Sequence, residues 1–235
     1  MLNFTGKTVM ITGAAGNLGR AVASAFAQQG ARLVLVDVDA DRLDAVYADG
    51  EDNRQAYAVD LLRPASVAEA VAAVRERYGA IDVLAAIAGG FHMGEPVHEL
   101  PAAAWDRMLD LNARTLLNSV QAVVPAMLEN GGGKIVTIGA NAARQGMADM
   151  SAYVVAKSAV IRLSESLSAE LRGRGINVNC VLPSIIDTPE NREAMPDADP
   201  GNWVAPEKLA NVILFLASEE ASAIHGASIP VVGLS

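Results

Sequence analysis

The sequence has a single cysteine, Cys180, so it supports neither a disulfide framework nor a cysteine-based zinc site. Cys180 sits in the apolar run 176–182, which predicts a small core residue rather than a nucleophile. The three histidines, His92, His98 and His225, lack ligand spacing, and no metal is expected. Aromatic residues are only 4% of the chain, so Ala, Val, Leu and Ile must fill the interior. That is the composition of helices packed closely on a buried parallel sheet. Basic residues are in deficit: 18 Lys and Arg against 27 Asp and Glu give a formal net charge of −9. This balance argues against binding nucleic acid or an anionic membrane through a basic face. No apolar run approaches the roughly 18 residues that span a bilayer. The N-terminal residues show no basic stretch backed by an apolar one. The expected setting is soluble, reducing and cytoplasmic.

What the chain does have is apolar mass and a regular alternation of elements. Its 235 residues are 51% hydrophobic and 19% charged, which fits one large α/β domain over 1–235. Residues 7–12, 32–36, 55–59, 81–88, 134–138, 176–182 and 227–232 read as seven short buried strands. Helical patterns fall between them, at the spacing of right-handed βαβ units. Among these helices, 66–78 opens with Ser66 and Glu69 spaced as a capping box. Residues 102–129 read as one long helix, and 149–172 as another. The predicted fold is a single-domain Rossmann fold: a seven-stranded, doubly wound parallel sheet with helices on both faces. Residues 183–206 break the periodicity and are too long for a passive connection, so they are expected to form a substrate lid.

Two constellations carry chemistry. After the first strand come Gly13, Gly16 and Gly19, then a helix, a second strand and Asp37. Gly13 permits a tight turn, while Gly16 and Gly19 remove side chains where backbone approaches a pyrophosphate and where helix packs on sheet. The helix start then offers N–H groups to the phosphates. A carboxylate at Asp37 can accept both ribose hydroxyls of NAD and would repel a 2′-phosphate, so NAD(H) is preferred to NADP(H). The second constellation is Tyr153 and Lys157, four residues apart and hence one turn apart on one helix face. Val154, Ala156, Val160, Ile161, Leu163, Leu167 and Leu171 give that helix its apolar stripe. An ammonium beside a phenol favours phenolate, so the tyrosine pKa is expected to fall from about 10 toward the working pH. Such a group donates a proton in one direction of a reaction and accepts it in the other.

Taken together, Thr12-Gly13-x-x-Gly16-x-x-Gly19, Asp37, Asp60, Ala88-Gly89, Asn112, Tyr153-x-x-x-Lys157 and Pro183…Thr188 resemble the short-chain dehydrogenase/reductase family over essentially the whole chain. The resemblance implies a catalytic set of Tyr153, Lys157 and Asn112. Lys157 would bind the nicotinamide ribose, and Asn112 would hold a helix backbone and a water on the proton relay. It implies a cofactor site made of Gly13, Gly16, Asn17, Leu18, Gly19, Asp37, Asp60, Leu61, Ala88, Gly89, Tyr153, Lys157, Pro183 and Thr188. Within it, Asp60 and Leu61 would flank the adenine and Thr188 would meet the carboxamide.

Departures from the family pattern are informative. Asn17 replaces the middle glycine, Ala86-Ile87 replaces a usual Asn-Asn, and Ser184 replaces a glycine. The family's substrate-binding serine falls at Ala140. Residues 88–91, 139–143 and 187–199, with Trp203, resemble the quinonoid dihydropteridine reductase branch, which also has alanine there. The expected reaction is therefore NADH-dependent reduction of a planar conjugated acceptor, best a quinonoid dihydropterin, with Phe91, Ala140 and Asn191 at the substrate. Two alternatives stand beside it. One is a carbonyl or 3-oxoacyl reductase or alcohol dehydrogenase. The other is an inactive NAD(H)-binding sensor or assembly subunit. In the family, helices matching 102–129 and 149–172 pair across a two-fold axis, which implies a homodimer or homotetramer.

Overall fold

The structure, a computed structural model, describes residues 2–48 and 53–235. Seven strands are present among the described residues: β1 (Thr8–Thr12), β2 (Arg32–Asp37), β3 (Arg54–Ala58), β4 (Val83–Ala86), β5 (Gly133–Ile138), β6 (Ile176–Pro183) and β7 (Ser228–Val231). All pair in parallel, in the order β3-β2-β1-β4-β5-β6-β7. The chain winds outward from β1 to β3, then crosses back to place β4 on the other side of β1. This reversal opens a crevice at the C-terminal ends of β1 and β4, where Thr12 pairs with Ala86.

Side-chain alternation along β1 divides the core. Val9 and Ile11 pack toward α1 (Asn17–Gln28) and α8 (Pro206–Leu216), while Met10 packs toward α3 (Pro64–Tyr78), α5 (Thr115–Glu129) and α6 (Ser151–Leu171). In α1, Val22 and Phe26 have no exposed surface, and Phe4 meets Phe26 edge-on at 4.9 Å. Burying each such side chain contributes about 1.5–3 kcal/mol. Cys180 is likewise fully buried, as its apolar neighbours predict.

Three local expectations change. Helix α3 starts at Pro64, two residues before Ser66, with Arg63 as its N-cap and no side-chain cap, so the Ser66–Glu69 capping box does not form. Proline's fixed φ suits the first helical position and sets the start instead. Strand β4 ends at Ala86 rather than at residue 88, because the amides of Ile87 and Ala88 turn to the Thr12 hydroxyl. The long helix over 102–129 divides into α4 (Ala102–Leu109) and α5, joined by a π-helical turn at Asp110–Arg114. Such turns relieve the i→i−4 ladder where a side chain must be aimed, and this one carries Asn112.

Residues 183–206, expected to form a lid, carry regular structure of their own. They hold α7 (Pro189–Ala194), a 3₁₀ turn at Pro200–Asn202 and a parallel bridge between Ile186 and Val204. Trp203 is buried and anchors the segment to the body. The remaining helix, α2 (Ala40–Tyr47), opens with the Asp39 carboxylate accepting from the Arg42 amide.

Candidate active site

The crevice is floored by the turn after β1. Gly13 has φ +67°, and a Cβ there would stand 3.0 Å from both Cα and N of Ala88. A Cβ on Gly19 would drive into the Gly13 carbonyl, so its lack of a side chain allows α1 to sit against the turn. The Thr12 hydroxyl oxygen accepts from the amides of Ile87 and Ala88 at 3.1 and 3.2 Å, which locks this turn to the end of β4. Helix α1 has Gly16 as N-cap, no side-chain cap and no acidic residue in its first turn. Its positive end is therefore left for an anion. Leu18 is buried, its side chain part of the core.

Asp37 lies half-buried at the end of β2. Its Oδ2 accepts from the Ala15 amide at 3.0 Å and its Oδ1 from the Val38 amide at 2.8 Å. The carboxylate thus braces the glycine turn. Asp60 Oδ1 accepts from the Leu62 amide at 2.9 Å. Leu61 is a core residue, and its carbonyl is taken by Asn118 Nδ2 at 2.8 Å.

Past β4, three predicted residues meet. A Cβ on Gly89 would lie 2.7 Å from Asn112 Oδ1 and 3.1 Å from Lys157 Nζ, so only glycine fits beside both. Asn112 is buried, and its amide is bonded at both ends: Oδ1 accepts from the Gly90 amide at 3.1 Å, while Nδ2 donates to the carbonyls of Gly90 and Met108 at 3.1 and 3.0 Å. Lys157 is 5% exposed and donates to the Ile138 carbonyl at 2.8 Å. Burial pulls its pKa down to about 8.

Tyr153 lies one turn earlier on α6, half-buried, with the Phe91 ring edge-on at 4.9 Å. Its pKa moves opposite to the sequence expectation. Burial pushes it up to about 12, and the Lys157 ammonium, bonded to Ile138, does not offset this. Phe91 is 57% exposed, so it offers an open aromatic face beside the phenol.

Ala140 is buried against the core at the end of β5. Close to Ala140 and Tyr153 in the sequence are two further polar atoms: Asn141 Oδ1 and Ser151 Oγ are buried and bond no group among the described residues. No pattern in the sequence singles out either residue. The lid residues are more occupied than predicted. Asn191 Nδ2 donates to the Ile186 carbonyl at 2.8 Å, which ties α7 back to the segment before it. Thr188 caps α7, its hydroxyl oxygen accepting from the Asn191 amide at 3.2 Å. Pro183 ends β6, buried. His92 pairs with Glu95 at 2.7 Å, and His98 lies near Glu99 at the surface.

A family model described as short chain dehydrogenase matches residues 7–199. The D-threitol dehydrogenase of Mycolicibacterium smegmatis is 36% identical over 97% of this chain and 92% of its own length. The 3-oxoacyl-[acyl-carrier-protein] reductase of Thermotoga maritima is 32% identical over 99% of this chain and 98% of its own. Among solved structures, an NAD+-bound xylitol dehydrogenase superposes with a TM-score of 0.90 at 25% identity, covering 98% of this chain and 99% of that one. These relatives are a threitol dehydrogenase, a 3-oxoacyl reductase and a xylitol dehydrogenase, and they do not carry the dihydropteridine reductase resemblance. The glycine turn, the Tyr153–Lys157 helix and these likenesses converge, and the chain belongs to the short-chain dehydrogenase family.

Proposed function

We propose that the protein interconverts a secondary alcohol and its carbonyl with NAD(H) as the hydride partner. The observation that carries this reading is the meeting of Lys157, Asn112 and Gly89 at the strand ends, with Tyr153 one turn away on α6. The cradle suits a dinucleotide: Gly13 and Gly19 tolerate no Cβ, and the α1 start lacks an acidic residue. Gly13, Gly16, Asn17, Leu18 and Gly19 would hold the phosphates, with Leu18 contributing backbone alone. Asp37 would take the adenosine ribose and disfavour a 2′-phosphate, so NADH is preferred over NADPH. Ala88, Gly89, Pro183, Thr188 and Lys157 would line the nicotinamide half. When bound, the nicotinamide supplies or takes the hydride.

Tyr153 gives its hydroxyl proton to the substrate oxygen during reduction and takes it back during oxidation. Lys157, held near pKa 8, sits where it can return that proton to solvent along the Asn112 side. Phe91 covers one side of the acceptor. Exposed Met93 and Met147 stand on two segments, following Phe91 and preceding Tyr153, that are joined by the Gly94 amide donating to the Asp149 carbonyl at 2.8 Å. This rim favours an apolar or planar carbonyl over a heavily hydroxylated one.

A second reading, reduction of a quinonoid dihydropterin, is favoured by Ala140 together with exposed Phe91. An imine acceptor forms no alkoxide and does without a serine hydroxyl. NADH and NADPH oxidation with cyclic ketones, 3-oxoacyl thioesters, quinones and a quinonoid dihydropterin separates the two. Turnover on ketones supports the main reading, and turnover on the pterin alone supports the second. Binding of NADH without turnover on any acceptor would support a sensor or assembly subunit. Exposed Leu117 on α5 and Val155 on α6 fit a homodimer or tetramer built through these helices, which light scattering checks.

A further inference from the structure

Helix α1 begins at Asn17 without a side-chain cap or an acid in its first turn, so its exposed N–H groups draw an anion. A carboxylate reaches it from the lid. Glu190, in the first turn of α7, accepts from Asn17 Nδ2 through Oε2 at 2.7 Å. Arg20 extends the chain, its Nη2 donating to Asn17 Oδ1 at 2.6 Å. Asn17 and Glu190 are 173 residues apart, so this bond joins the glycine turn to the lid. A glycine at position 17 would have no side chain with which to make it.

We propose that Glu190 competes with the dinucleotide's diphosphate for the Asn17 amide at the start of α1, and so sets how tightly the cofactor binds. The proposal rests on the NAD(H) reading of the crevice. Carboxylate and diphosphate are both anionic acceptors, and like charges cannot share the spot without repulsion. Glu190 is exposed, so it can swing into water when the phosphates arrive. Asn17 then turns its amide N–H to a phosphate oxygen, with Arg20 still behind it as counter-charge. Asn17 in place of a glycine therefore supplies a side-chain donor that either anion can take.

The test is a fluorescence titration of the cofactor-free wild type, Glu190→Gln and Glu190→Ala with NADH, ADP-ribose and adenosine. Both variants should bind NADH and ADP-ribose roughly fivefold more tightly, the size of one screened like-charge contact. The gain should shrink at high salt, and adenosine, which lacks phosphate, should bind unchanged. In an Asn17→Ala background, removing Glu190 should yield less gain. Thermal melts confirm that the variants fold, which surface substitutions at position 190 allow. Weaker NADH binding in the Glu190 variants would make the residue a clasp and overturn the proposal. Unchanged affinity for NADH and ADP-ribose would overturn it as well. If the wild-type chain binds neither ligand, the cofactor reading itself fails, and the proposal with it.

Discussion

The Phe91 ring meets the Tyr153 ring edge-on, with centroids 4.9 Å apart and planes at 78°. An aromatic edge against the phenol fixes the Tyr153 ring and leaves the outer face of Phe91 open to a substrate. Pairs of this kind contribute about 0.5–1.5 kcal/mol beyond their buried area. Phe91→Ala should therefore raise KM for a planar acceptor about tenfold, with a smaller fall in kcat and no change in NADH affinity. Steady-state kinetics beside a direct NADH titration separate these quantities.

Tyr153→Phe removes only the hydroxyl and preserves the ring contact with Phe91. Turnover should fall by about 10²–10⁴, the usual contribution of general acid–base catalysis, with NADH binding retained. Turnover equal to wild type would place proton transfer on another group, and the buried hydroxyl of Ser151 is the nearest candidate in sequence.

Lys157 makes stability depend on pH in a direction that can be worked out. Its pKa falls from 10.5 in the unfolded chain to about 8 in the folded protein. Between those values the unfolded chain binds more protons, so stability rises with pH across that window and is level, on this account, below it. Tyr153 acts oppositely at higher pH, since its pKa rises from 10.0 to about 12 and stability is lost above 10. Denaturant unfolding should show wild type gaining roughly 2–3 kcal/mol relative to Lys157→Met between pH 7.5 and about pH 10. A constant difference between the two proteins would mean that Lys157 keeps its charge when buried.

Gly89→Ala would set a methyl group 2.7 Å from Asn112 Oδ1 and 3.1 Å from Lys157 Nζ. Both neighbours are buried and bonded, so neither can retreat without losing a partner. The expected cost is about 1–3 kcal/mol of stability, typical of overpacking, read as a lower Tm. Activity should fall further than stability, because both displaced groups belong to the proposed proton path.

Ala140→Ser distinguishes the two proposed chemistries. A hydroxyl beside Tyr153 should raise turnover of simple ketones by up to about 10²–10³ if the site stabilises a developing alkoxide. With a quinonoid pterin the same change should matter little. The ratio of the two rates, measured on one preparation, carries the answer.

The doubly wound architecture was legible along the chain, and so were the residues proposed to react. Period-2 and period-3.6 patterning, together with glycines at 13, 16 and 19, leave few alternatives to a doubly wound sheet. The four-residue spacing of Tyr153 and Lys157 needs nothing more than a helix to place them on one face. How those groups are tuned, and what holds them, came from the packed fold. Burial is a property of the assembled core, so it raises Tyr153 where a local view of the nearby lysine predicts a fall. The π-helical turn at Asn112 arises because that amide must reach Gly90 on another strand's exit, a demand invisible along 102–129. The Asn17–Glu190 and Asn191–Ile186 bonds likewise follow from where the lid lands. Contacts between residues distant in the chain depend on packing that no local pattern encodes.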